Sequence, residues 1–98
     1  MEHPLPPPAC GRLAADDPHL RHGLALLRAG HWFEAHEVLE VRWREAPRES
    51  ADRHLLQAMI QYAVSLEHAR RGNPDAARGQ REKATRHLRH VVAWMRGA

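Results

Sequence analysis

The sequence predicts an all-α fold, a compact antiparallel bundle of four helices behind a proline-rich N-terminal arm, and three observations carry that prediction. Apolar residues recur at three- and four-residue spacing in four separate segments. Gly30, Pro47 and Gly72 close the first three of them, glycine by reaching the left-handed conformation that ends a helix and proline by disfavouring helical geometry in the residue before it. An aspartate of the Asp16-Asp17 pair, Ser50 and Asn73 stand where a side chain can cap free helix amides, and Pro18 and Pro74 follow the first and last of these, suited to the first helical turn.

Residues 1–15 hold Pro4, Pro6, Pro7 and Pro8 without apolar periodicity, which predicts a disordered or extended arm with a polyproline tendency. Residues 16–98 then form one helical-bundle domain. A chain of 98 residues supports a single core and leaves apolar surface that a partner subunit could cover. Helix one is expected over about 17–29, with Leu20, Leu24 and Leu27 on one face. Helix two carries Trp32, Phe33, Ala35, Val38, Leu39 and Trp43 and must stop near Pro47. Helix three follows Ser50, and its broad apolar surface, from Leu55 and Leu56 through Met59, Ile60, Ala63 and Val64 to Leu66, marks it as the central helix. Helix four follows Asn73-Pro74 and presents Ala77, Ala84, Leu88, Val91, Val92 and Met95; Gly79 weakens its first turns by about 1 kcal/mol relative to alanine, so fraying is expected there. A faint repeat supports antiparallel packing: Leu24, Gly30 and Ala35 align at one offset with Leu66, Gly72 and Ala77.

The longest apolar runs are a few residues, far short of the roughly 20 that span a bilayer, and the start of the chain lacks the pattern of a secretory signal. Cys10 has no second cysteine to pair with, which agrees with a reducing cytoplasm. Charge is distributed unevenly. Eight basic residues against Asp75 and Glu82 give the segment from Arg70 onward +6, which leaves −3 for the rest of a chain whose formal charge is +3. Such a face suits an acidic partner or a solvated surface. Arg78, Glu82 and Arg86 are spaced for i,i+4 pairing, and no exposed aromatic platform is evident, so nucleic-acid binding is expected to be weak and non-specific if it occurs at all.

Chemistry concentrates on helices two and three. His36, Glu40 and Trp43 share one stripe of helix two, and Gln57, Gln61 and His68 share one stripe of helix three. Antiparallel pairing sets His36 against His68, Glu40 against Gln61 and Trp43 against Gln57, with Glu37 turned toward the edge or solvent. These residues carry a resemblance. His36-x3-Glu40-x2-Trp43, then Gln57-Ala58-Met59-Ile60-Gln61, His68 and Asn73, resembles the prokaryotic domain of unknown function 309 family, whose signature runs His-x3-Glu-x2-Trp and then Gln-Gly-Leu-Ile-Gln-x3-Ala-x2-His-x4-Asn. The resemblance covers about residues 20–95. Ala58, Met59 and Ser65 depart from it by small or conservative changes. It implies a compact all-α bundle and no reaction, substrate or cofactor.

The preferred reading of the cluster is a buried polar network in which His, Glu, Gln and Trp satisfy one another and fix helix pairing. In this reading the Trp43 indole reaches Gln57 and Asn73 caps helix four. The protein is then a non-catalytic module that binds a protein partner or assembles with itself. The alternative takes His36, Glu40 and His68 as ligands of a divalent metal such as zinc, in a metal-binding protein or a metal-dependent hydrolase with Glu37 as base. No nucleophile motif or glycine-rich phosphate loop is present. His87 and His90, three apart without an acidic companion, are expected on a solvated face.

Overall fold

The computed structural model describes residues 17–96, and within them the fold is four helices: α1 (Pro18–Ala29), α2 (Trp32–Glu45), α3 (Ala51–Arg70) and α4 (Pro74–Met95). The arm expected over residues 1–15 and Cys10 lie outside the described residues.

Local chemistry sets each boundary. Asp17 Oδ1 accepts from the Leu20 amide at 3.0 Å, with Pro18 in the first turn, so α1 begins on a capped and proline-fixed N-terminus. At its end Gly30 has φ 86°, and the amides of Gly30 and His31 donate to the carbonyls of Leu27 and Leu26. The same joint recurs 42 residues later. Gly72 has φ 80°, and the amides of Gly72 and Asn73 donate to Ala69 and His68. Both are Schellman turns. The aligned alanines of the sequence repeat, Ala35 and Ala77, are both buried. The second connection is different. Ala46 leaves α2 in extended geometry before Pro47, Glu49 takes a left-handed φ of 60°, and Ser50 closes the turn by donating to the Pro47 carbonyl at 2.7 Å while capping the Arg53 amide at 3.1 Å. α4 continues through Gly79 as helix.

Leu20, Leu39, Ala46, Leu56 and Ile60 form the core, with Leu27, Trp43, Met59 and Val64 packed around them. α3 packs against both α2 and α4, and α1 packs against α2. No comparable contact joins α1 to α4, so the array stays open on one side. The gap is an apolar groove of about 520 Å3, floored by Met59 and Tyr62 of α3 and walled by Leu24 and Leu27 of α1 and by Arg81 and Leu88 of α4. Leu24, Leu88 and Val92 belong to the apolar stripes of α1 and α4, yet they are 36%, 43% and 45% exposed, because α1 and α4 do not pack against each other. Phe33, also on an apolar stripe of the sequence, is exposed on α2. Among the described residues no helix is long and apolar enough to cross a membrane.

One close approach and one ion network lock the first three helices. Gly23 is buried where α1 crosses α2, and a Cβ there would meet Leu39 Cδ2 at 2.5 Å. Arg42 Nε donates to Asp17 Oδ2 at 2.9 Å, and its Nη2 lies 3.9 Å from Asp52 Oδ2, so one guanidinium ties the N-terminal ends of α1 and α3 to α2. Burial by itself would raise the Asp17 pKa, but the Leu20 amide and the Arg42 guanidinium outweigh it and hold the carboxyl below its usual range.

Candidate functional site

The residues singled out in the sequence fall at two places along the α2–α3 seam. At one, His36 and His68 line a common pocket of about 210 Å3 with Trp32, Phe33 and Val64. The Phe33 ring is tilted against His36 with centroids 5.9 Å apart. Glu67, on the rim, accepts from Arg70 at 2.6 Å and from Arg71 at 2.8 Å, and the Arg70 bond leads in holding its carboxyl below the usual range. At the other place, Trp43 and Gln57 line a pocket of about 380 Å3 with Arg53 and His54. The two outer pairs of the expected ladder thus each share a pocket.

Glu40, expected opposite Gln61, finds its partners along its own helix. Arg44 Nη2 donates to Oε1 at 3.0 Å, and His36 Nε2 lies 3.8 Å from Oε2. Both are i,i+4 neighbours, which a helix supplies without any interhelical alignment. Glu37 is exposed on the outer face of α2 and lines neither pocket. Asn73 is an exposed turn residue whose amide donates to the His68 carbonyl at 2.9 Å. The Trp43 ring carries the Arg53 guanidinium 4.1 Å from its centroid, a cation–π contact between residues ten apart along the chain.

Among the described residues, three buried side-chain atoms lack a hydrogen-bond partner, and all three belong to this set: His36 Nδ1, Gln61 Oε1 and His68 Nδ1. Leaving such an atom unsatisfied costs about 1–3 kcal/mol. Glu40 acts on His36 Nε2, which leaves Nδ1 as the nitrogen turned inward. Among the described residues no group of three or more His, Cys, Asp or Glu side chains is arranged to hold a metal ion.

Two features escaped the sequence reading. Arg42 sits inside the motif stretch, yet its partners Asp17 and Asp52 are remote in sequence. His87 and His90, expected as a solvated pair, pack on His54: His54 Nδ1 and His87 Nδ1 are 2.8 Å apart, and the His54 and His90 rings stack at 4.8 Å. Burial, followed by the charges of His87 and His90, depresses the His54 pKa against an opposing pull from Glu49. Burial, followed by His90 and Arg86, depresses that of His87.

Comparison with curated proteins and with solved structures gives no match. Residues 20–80 match the family described as Domain of unknown function (DUF309). That span holds both helices of the seam, with His36, Glu40, Trp43, Gln57, Gln61 and His68, and the turn that ends at Asn73, and the chain belongs to this family.

Proposed function

We propose that this domain is a non-catalytic self-assembly module in which the acidic outer ridge of α2 from one copy seats in the apolar groove of another. One observation carries the reading. Of the six large apolar side chains exposed among the described residues, Leu24, Tyr62, Leu88 and Val92 follow the groove and its continuation along α4, while Phe33 and Val41 stand on α2. Glu34, Glu37 and Glu45 share that outer face of α2, within about 120° of Phe33 on a helical wheel. The α4 wall of the groove carries Arg81, Arg89 and Arg96. Ridge and groove are thus complementary in both apolarity and charge, whereas groove-to-groove pairing would set arginines against arginines.

Such a contact is heterologous, joining two different patches. Sedimentation equilibrium of the full chain should show mass rising with concentration, and Leu88→Glu and Phe33→Glu should each be monomeric. Mixing those two variants decides the geometry, because one retains an intact ridge and the other an intact groove. A 1:1 heterodimer supports the proposal. A monomeric parent protein, or self-association of the parent without heterodimer formation in the mixture, overturns it.

The partnerless nitrogens of His36 and His68 favour a second reading, in which the smaller pocket binds a divalent cation such as zinc with both imidazoles as ligands and Glu40 orienting His36. Metal analysis of tag-free protein tests it: stoichiometric zinc that is lost in His36→Ala supports this reading, and its absence from the parent protein refutes it.

A further inference from the structure

The pocket where α2, the Pro47–Ser50 turn, α3 and α4 meet belongs to neither reading above. The family signature contributes Trp43 and Gln57 to its lining; Arg48, Glu49, Arg53, His54 and His87 come from outside it. We propose that this pocket of about 380 Å3 binds an oxyanion, a phosphoryl or carboxylate group held by His54, His87, Arg48 and Arg53.

An imidazole pair can take either a metal ion or an anion, and the surrounding charge decides between them. Two Nδ1 atoms at 2.8 Å share a single proton, one ring donating and the other accepting. Arg48 and Arg53 line the same space, and Arg86 acts on His87 from α4. Glu49 is the one carboxylate among the lining residues. Coulomb repulsion scales with charge, so these arginines oppose a dication twice as strongly as they oppose a proton. The same field attracts an anion. The first turn of α3, which holds His54, adds the positive end of a helix.

The donors are also held in place. Arg53 stacks on Trp43 and gives Nη1 to the Ala46 carbonyl at 3.0 Å, so its guanidinium does not have to be ordered when a ligand arrives. His54 is flanked by the stacked ring of His90. Glu49 occupies a left-handed φ of 60°, a conformation uncommon outside glycine, and this places its carboxylate close enough to act on His54. It behaves as an internal competitor for the site.

Binding has a proton balance. In the resting pair both rings are neutral; when both become imidazolium they take up two protons from solvent, the Nδ1–Nδ1 bond is lost and each Nδ1–H can turn to the oxyanion. The charged groups facing the pair are Glu49 and Arg48 from the turn, Arg53 from α3, and Arg86 and His90 from α4; α2 contributes the uncharged Trp43. Affinity therefore rises as pH falls through the histidine range.

The histidine ring protons of the full chain, followed by NMR at pH 6 with chloride keeping ionic strength constant, test this directly. Inorganic phosphate, pyrophosphate and citrate are the probes. Saturable shifts of His54 and His87, with their titration moved to higher pH, support the proposal; a response to phosphate or pyrophosphate assigns a phosphoryl group, and a response to citrate alone assigns a carboxylate. Arg48→Glu, in an exposed turn, should weaken binding by about tenfold or more, and Glu49→Gln should strengthen it. No response beyond chloride, an unchanged response in Arg48→Glu, or zinc saturating the two histidines where all three anions fail would overturn it.

Discussion

Replacing Gly23 by alanine should destabilise the protein, although the same change at Gly79 should stabilise it. Both glycines are helical, so alanine brings each about 1 kcal/mol of helix propensity. At Gly79 no atom lies within 4 Å of the new Cβ, and that gain stands alone. At Gly23 the Cβ would lie 2.5 and 2.6 Å from Leu39 Cδ2 and Cγ, whereas carbon atoms in contact prefer about 3.5–4.0 Å. Leu39 is fully buried and can yield only by leaving its rotamer or spreading α1 from α2. Overpacking of this kind costs about 1–3 kcal/mol, which leaves a net loss of about 1 kcal/mol after the propensity gain. For a domain of this size that is a fall in Tm of about 5 °C, readable by thermal denaturation followed by circular dichroism. A cycle with Leu39→Ala isolates the cause: once the leucine is gone, Gly23→Ala should change sign and become stabilising. A stabilising Gly23→Ala in the parent background, or an unchanged cost in the Leu39→Ala background, would refute the reasoning.

Alanine at Gly30 and at Gly72 should each cost about 1 kcal/mol, and by similar amounts, because both sites demand a left-handed residue and neither presents a clash; urea melts of the two variants check the equality. Arg42→Ala removes the shared partner of two largely buried carboxylates and should cost about 2 kcal/mol at neutral pH in the same assay. The folded pKa of Asp17 lies below the ordinary value of 3.8, so its contribution is fully present above that value and is lost as pH falls through the folded pKa; acid titration should show Arg42→Ala approaching the parent protein only as pH drops well below 3.8. His54 and His87 have folded pKa values below 6.5, so the unfolded chain binds more protons as pH drops under that value. Stability should therefore decline on acidification from pH 6.5, and His87→Gln should flatten the slope.

The helix boundaries were legible because backbone chemistry is local. Gly30 and Gly72 had to be turns, Pro47 had to end a helix, and Asp17 and Ser50 had to cap one, whatever the tertiary structure. That His36 and His68 share one pocket and Trp43 and Gln57 another was also within reach, since two consecutive antiparallel helices joined by a short turn leave little choice of register. The middle of the ladder was harder. Glu40 can meet either a residue across the seam or its own i,i+4 neighbours, and Arg44 settles that competition at short range. The exposure of Leu24, Leu88 and Val92 depends on whether α1 reaches α4, a long-range matter on which spacing along one helix is silent. For the same reason nothing in the sequence linked His54 to His87, or Asp17 to Arg42.

The two Schellman joints close two hairpins, α1–α2 and α3–α4, and the polypeptide passes between them through a single exposed turn at Pro47, Arg48 and Glu49. The core contributed by Leu20 and Leu39 from one hairpin and by Leu56 and Ile60 from the other does not depend on that covalent link. The domain is therefore divisible. Cut at Arg48–Glu49, it becomes two helical fragments that should recombine across their apolar seam at sufficient concentration, and a new pair of termini placed there should be tolerated. A protein with this build can serve as a split reporter, its reassembly reading out the proximity of whatever is fused to each half.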